Sequence, residues 1–195
     1  MSTTPGLARA QKWTTASLAL TVVLGAINGA LTTPIALAWV AINTAFGVIG
    51  AAFFQPFIIF AAMAGWLLPR PGVYLLAMTV SGLANMLTGD PQGIVVVYWG
   101  VAGGIAGELA GLIFRWNQSR RTLIAILFGV LYIPLTNIVT AFVYGWENNL
   151  LLWLGLLIGI LAITLEATIP GIALAKWLAS SGLLRTVGIE AEKGS

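Results

Sequence analysis

Two carboxylates sit where carboxylates are costly. Glu108 lies inside the glycine-rich run "VAGGIAGELAGLIFRW" (101–116), and Glu166 lies inside the apolar run 150–178. Neither has a lysine or arginine at the same depth of its own run. A central acidic residue costs about 2.5–3.5 kcal/mol to insert into a bilayer, so such groups face a bundle interior and mark ligand or ion pathways. One of them could instead be protonated and bonded to a neighbouring helix. A missing positive charge could also come from a cationic ligand. Around them are amides at Asn28, Gln55, Asn85 and Asn137, and aromatic rings at Trp39, Tyr98, Trp99, Tyr132, Tyr144 and Trp146. An aromatic face beside a carboxylate suits an organic cation. Trp99 and Tyr98 fit an interfacial belt equally well. The amides fit helix–helix contacts as well as a heteroaromatic ring, and Gln55 before Pro56 also reads as a helix cap.

The elements that must position these groups are membrane helices. Of 195 residues, 59% are hydrophobic and 8% are charged, against about 25% charged in a soluble domain. The pattern predicts an all-α integral membrane protein, one membrane domain over 1–195. The expected spans are about 14–33, 52–69, 72–88, 93–115, 121–145 and 150–178, each near the ~20 apolar residues a crossing needs. The segment 34–51 is apolar too and begins at Pro34. Charge places it. With six crossings and a cytoplasmic N-terminus, Arg9, Lys12, Arg70, Arg115, Arg120, Arg121, Lys176, Arg185 and Lys193 all fall inside, while Asp90 and Glu147 fall outside. Counting 34–51 as a span would put seven of the nine basic residues outside. The positive-inside rule therefore makes 34–51 a non-crossing outer loop or helix, with both termini cytoplasmic in a multi-pass plasma-membrane protein. Arg9 and Lys12 before an apolar run, with "ALA" at 36–38, resemble a signal peptide, but the run 16–31 is longer than a usual signal core.

Several functions lose their residues. The sequence has no cysteine and no histidine, which removes thiolate chemistry, a His base and Cys/His metal sites. It has no G-x-x-x-x-G-K-[ST], no G-x-S-x-G and no H-E-x-x-H. The chain cannot hydrolyse ATP by itself, and nothing supports an enzyme. The net charge of +3 follows membrane topology rather than a nucleic-acid partner. No metal or other cofactor is expected.

Glycines 100, 104, 107 and 111 make one side of the fourth run smooth, as close helix packing in lipid requires. That side could also leave room for a ligand at Glu108. The first run carries Gly25, Ala26, Gly29 and Ala30, two overlapping small-xxx-small patterns, for contact with a helix of this chain or of a partner.

The segments "RPGVYLLAMTVSGLANMLTGDPQG" (70–93) and "GVAGGIAGELAGLIFRW" (100–116), with "QP" at 55–56, resemble the YkoE family. These are substrate-binding S components of energy-coupling factor (ECF) transporters of the ABC type, associated with thiamine or hydroxymethylpyrimidine uptake. The likeness is clearest over 68–116, and Glu166 lies outside the family pattern. The resemblance implies a vitamin bound from the outer side and delivered with a T component and two ATPases, which consume the ATP. It implies a T-component contact through Ala26 and Ala30, and closure of the site by the segment after the first helix. For a thiamine-like ligand the residues themselves make Glu108 the expected main ligand carboxylate, with Trp99, Asn85, Asn137, Tyr144, Gln55 and Glu166 as further ligand-binding candidates. The alternatives are a self-sufficient proton-coupled transporter of a cationic solute, using Glu108 or Glu166, and a non-transporting assembly subunit.

Overall fold

The computed structural model describes residues 12–144 and 150–186. Its regular elements are helical throughout. They are α1 (Thr15–Ala52), α2 (Ile59–Leu67), α3 (Val73–Leu87), α4 (Val95–Ile113), α5 (Arg121–Tyr144), α6 (Leu150–Ile163), α7 (Ile169–Ser180) and the short α8 (Leu183–Thr186). A 3₁₀ turn, Gln118–Arg120, leads into α5, and a π-helical segment, Thr164–Thr168, joins α6 to α7. Four stretches are long and apolar enough to cross a membrane: Thr15–Ala52, Val95–Ile113, Gln118–Val143 and Trp153–Ser180. The lipid-facing character shows in single residues: Phe46 is 75% exposed and Leu87 80%.

The first expected boundary is not where the sequence put it. The helix does not end near residue 33. It runs through Pro34 and breaks only at Gly47, whose φ of 69° and ψ of −173° are not helical. Pro34 removes one N–H, while Thr32 Oγ1 holds Asn28 O at 2.7 Å and Thr33 Oγ1 reaches across to Asn85 Oδ1 at 2.7 Å. The first span and the segment 34–51 are therefore one helical run with a late break.

The second expected span is also different. Residues 54–58 are non-helical, and only Ile59–Leu67 form helix. Irregular backbone at membrane depth must have its polar groups satisfied by protein. Here Gln55 N donates to Glu166 Oε2 at 2.7 Å, and Phe57 O accepts from Asn28 Nδ2 at 2.9 Å. Asn28 also donates to Ser81 Oγ at 2.9 Å and accepts from Phe60 N at 3.1 Å. One buried amide thus ties α1, the broken segment and α3 together.

Close packing follows the small residues. A Cβ on Gly29 would lie 2.1 Å from Ser81 O, and one on Gly25 would lie 2.5 Å from Ala77 O, so α1 and α3 touch backbone to backbone. On α4, a Cβ on Gly104 would lie 2.7 Å from Leu75 Cα and one on Gly107 would lie 2.2 Å from the Tyr74 ring. The glycine face of α4 is filled by α3. Below it, the Tyr74 and Phe128 rings pack with centroids 4.5 Å apart in the fully buried core.

The basic turns are built, not merely solvated. Arg70, between α2 and α3, is buried; its Nη1 donates to Lys12 O at 3.0 Å and Ser17 Oγ at 3.2 Å. Burial holds its guanidinium below the usual arginine range. Arg121 stacks over Trp66 at 3.7 Å from the ring centroid. Arg115 and Trp116 both have left-handed φ (52° and 51°), and Trp116 N closes the end of α4 onto Gly111 O at 2.8 Å.

Candidate functional site

Opposite these basic turns lies a cavity of about 660 Å³, within the range of small-molecule sites. α3 and α4 pack antiparallel, so the α3–α4 turn sits at the far end from Arg70 and Arg115, and this turn closes one side of the cavity. α1 beyond Thr32 supplies Ala36, Trp39 and Val40, and the chain after the Gly47 break supplies Val48 and Ala52. The broken segment supplies Gln55 and Phe57, α3 supplies Ser81 and Asn85, and α4 supplies Trp99. α5 adds Tyr132, Thr136 and Asn137. The segment 34–51, expected to close over a site, forms part of this wall.

The polar groups have uneven commitments. Asn85 accepts from Thr33 with Oδ1 and has no recorded partner for its amide N–H groups. Asn137 donates to Ile133 O at 2.8 Å, and Gln55 Nε2 donates to Ala51 O at 3.2 Å, which leaves both side-chain carbonyl oxygens without a described partner. The Trp99 ring lines the cavity, while its Nε1 is a buried donor without a partner among the described residues. Trp39, Phe57, Trp99 and Tyr132 give the cavity aromatic walls.

The cavity does have a carboxylate, and it belongs to Asp90. Asp90 is 6% exposed. Its Oδ1 accepts the Gln92 N–H at 2.9 Å, forming an Asx turn before Pro91. Its second oxygen has no partner among the described residues. In the sequence Asp90 serves only as one of the two acidic residues that fall outside. The signal that could have found it is "TGDPQG" itself, a carboxylate in a turn at the mouth of a helix pair.

The two intramembrane carboxylates are elsewhere. Glu108 Oε2 accepts from Gly72 N at 2.8 Å, and Oε1 accepts from Tyr74 N at 3.1 Å and Leu75 N at 3.2 Å. It caps the start of α3, where unpaired N–H groups and the helix dipole favour an anion. Three charge-assisted bonds at about 1.5–3 kcal/mol each exceed its insertion cost of about 2.5–3.5 kcal/mol. Expected as the main ligand carboxylate, Glu108 stands here at the start of α3 and is not among the residues that line the cavity. Glu166, in the π-helical segment, holds Gln55 N and likewise does not line the cavity. The structure therefore gathers Trp99, Asn85, Asn137 and Gln55 at one site and leaves Glu108 and Glu166 out of it. Tyr144 ends α5, but its side chain lies outside the described residues. Tyr98 is 55% exposed and is not on the wall.

On α1, the two small-residue faces separate. Gly25 and Gly29 are buried against α3, whereas Ala26 is half-buried and Ala30 is exposed.

The described residues thus form a helical bundle with a ligand-sized cavity at one end. A solved structure described as an S-component of ECF transporter superposes on it with a TM-score of 0.81, covering 90% of each chain at 23% identity, a likeness of fold. The family described as ABC-type cobalt transport system, permease component, matches residues 16–124, and the chain belongs to that family. It is a transport family, not an enzyme family. No curated protein matches the chain in sequence.

Proposed function

We propose that the chain is the membrane substrate-binding subunit of an ECF-type vitamin importer. It takes thiamine or its hydroxymethylpyrimidine precursor from the outer side and delivers it with a T component and two ATPases. The observation that carries this reading is the cavity opposite the basic turns, with Asp90 and uncommitted amide groups set in aromatic walls. An aminopyrimidine offers donors to the carboxylate and to the amide oxygens, ring nitrogens to the Asn85 amide N–H, and a face to the aromatic rings. A thiazolium adds a permanent charge that Trp faces and a carboxylate stabilise. On the six-crossing topology expected from the charge distribution, with both termini cytoplasmic, this end faces outside.

The family description names cobalt. Protein sites for divalent first-row metals gather several imidazole, thiolate or carboxylate ligands around the ion. The sequence has neither histidine nor cysteine, and the cavity offers one carboxylate among amides and rings. That donor set suits an organic ligand. The exposed Ala30, with Ala26 beside it, is the surface offered to the T component.

A proton-coupled transporter would need Glu108 or Glu166 free to exchange protons with a solute. Both are held by backbone N–H groups away from the cavity, which weighs against it. Liposomes containing the chain with a T component, ATPases and ATP should take up labelled thiamine or hydroxymethylpyrimidine; the chain alone should not. Uptake by the chain alone, driven by a proton gradient, would overturn the proposal.

A further inference from the structure

The cavity is electrostatically one-sided. Its lining carries one carboxylate, Asp90, and among the described residues no lysine or arginine. The described cations lie away from it. Arg70 is engaged in the α2–α3 turn, and Arg115, Arg120 and Arg121 stand between α4 and α5. Lys12 precedes α1, whose cavity wall begins only at Thr32, and Lys176 lies far along α7 from the α6 glycines of the wall.

Asp90 is not spent on structure alone. Its Oδ1 suffices for the turn through Gln92 N, and the residue is nevertheless buried on the wall with its other oxygen unpartnered. The wall group left over is thus an anionic acceptor at Asp90, which a cation or amine satisfies. A phosphate ester does not: it would bring about 1.5–2 negative charges into a cavity that already holds one and whose described lining provides no lysine or arginine, and burying unpaired like charges is strongly unfavourable.

We infer that the cavity selects against phosphorylated ligands, and that Asp90 is the residue that sets this selectivity: the site takes an amine- or cation-bearing heteroaromatic only in its unphosphorylated form. This deepens the vitamin-binding reading and rests on it. The chain therefore stands before any phosphorylation of its cargo.

The test is calorimetry on the detergent-solubilised full chain with thiamine, hydroxymethylpyrimidine and thiamine monophosphate. The expected result is that the monophosphate binds weaker than thiamine by roughly 100-fold or more. Asp90→Asn keeps an oxygen for Gln92 N–H, so the turn persists; thiamine should weaken by roughly 10-fold or more and the gap to the monophosphate should shrink. Thermal unfolding of the variant close to wild type separates this from misfolding. Monophosphate binding within about threefold of thiamine in the wild type would overturn the inference and leave the vitamin reading intact. An unchanged ratio in Asp90→Asn would overturn the role of Asp90. Binding of none of the three would overturn the vitamin reading and this inference with it.

Discussion

Glu108 Oε2 lies 2.8 Å from the backbone nitrogen of Gly72. The contact explains how an acidic residue survives deep in an apolar helix without a basic partner. Gly72, with φ of 89°, turns the chain into α3, and Gly104 and Gly107 let α4 approach until its carboxylate reaches that turn. The positive charge that Glu108 needs is the N-terminus of a helix.

Glu108→Gln should therefore act on stability. The amide keeps one acceptor oxygen but loses the charge and places N–H donors where N–H groups already point. A loss of about 1–3 kcal/mol is expected, read as a lower Tm in detergent, with ligand affinity changed by no more than about threefold. A large affinity loss at unchanged Tm would return Glu108 to the binding site.

Glu166→Ala should free Gln55 N, a donor in a non-helical segment that Glu166 alone is seen to satisfy. A buried donor left unpaired costs about 1–3 kcal/mol. Amide hydrogen exchange over residues 53–58 should accelerate while exchange in α3 and α4 stays close to wild type. Uniform acceleration across the bundle would mean that the segment is not separately held.

The two faces of α1 should respond oppositely. Gly29→Leu drives a side chain into Ser81 O and Asn85, and overpacking of this kind costs about 1–3 kcal/mol or more, so the variant should express poorly and unfold early. Ala30→Leu meets no packed neighbour of this chain, since Ala30 is exposed. It should fold and bind as wild type but co-purify less with a T component and support less ATP-driven uptake. Unimpaired assembly of Ala30→Leu would remove this face from the partner interface.

Much of this architecture was legible in the sequence. The helical runs showed as apolar stretches, and the glycine spacing of α4 showed a close helix contact. Trp99, Asn85, Asn137 and Gln55 stood out because polar and aromatic groups are few in such a chain. Pattern alone does not say what a polar group faces. Glu108 and Glu166 stood out as carboxylates without a basic partner, and the partners they have are backbone N–H groups, which every residue has and no motif reveals. Asp90 served in the sequence only to place its loop outside, and no pattern there puts it on a cavity wall. Pro34 suggested a boundary, yet α1 continues through it, while the break came later, at Gly47. The non-helical run 54–58 read as a span because its residues are as apolar as those of a helix.

Trp99 offers the most direct measurement of the central claim that this cavity is the vitamin site. Intrinsic tryptophan fluorescence should be followed as thiamine or hydroxymethylpyrimidine is titrated into the purified protein, with Trp99→Phe as the comparison. The account predicts saturable quenching by at least one of them, largely lost in Trp99→Phe, with weaker binding by calorimetry. Absence of saturable quenching by either compound, or full quenching and unchanged affinity in Trp99→Phe, would contradict it.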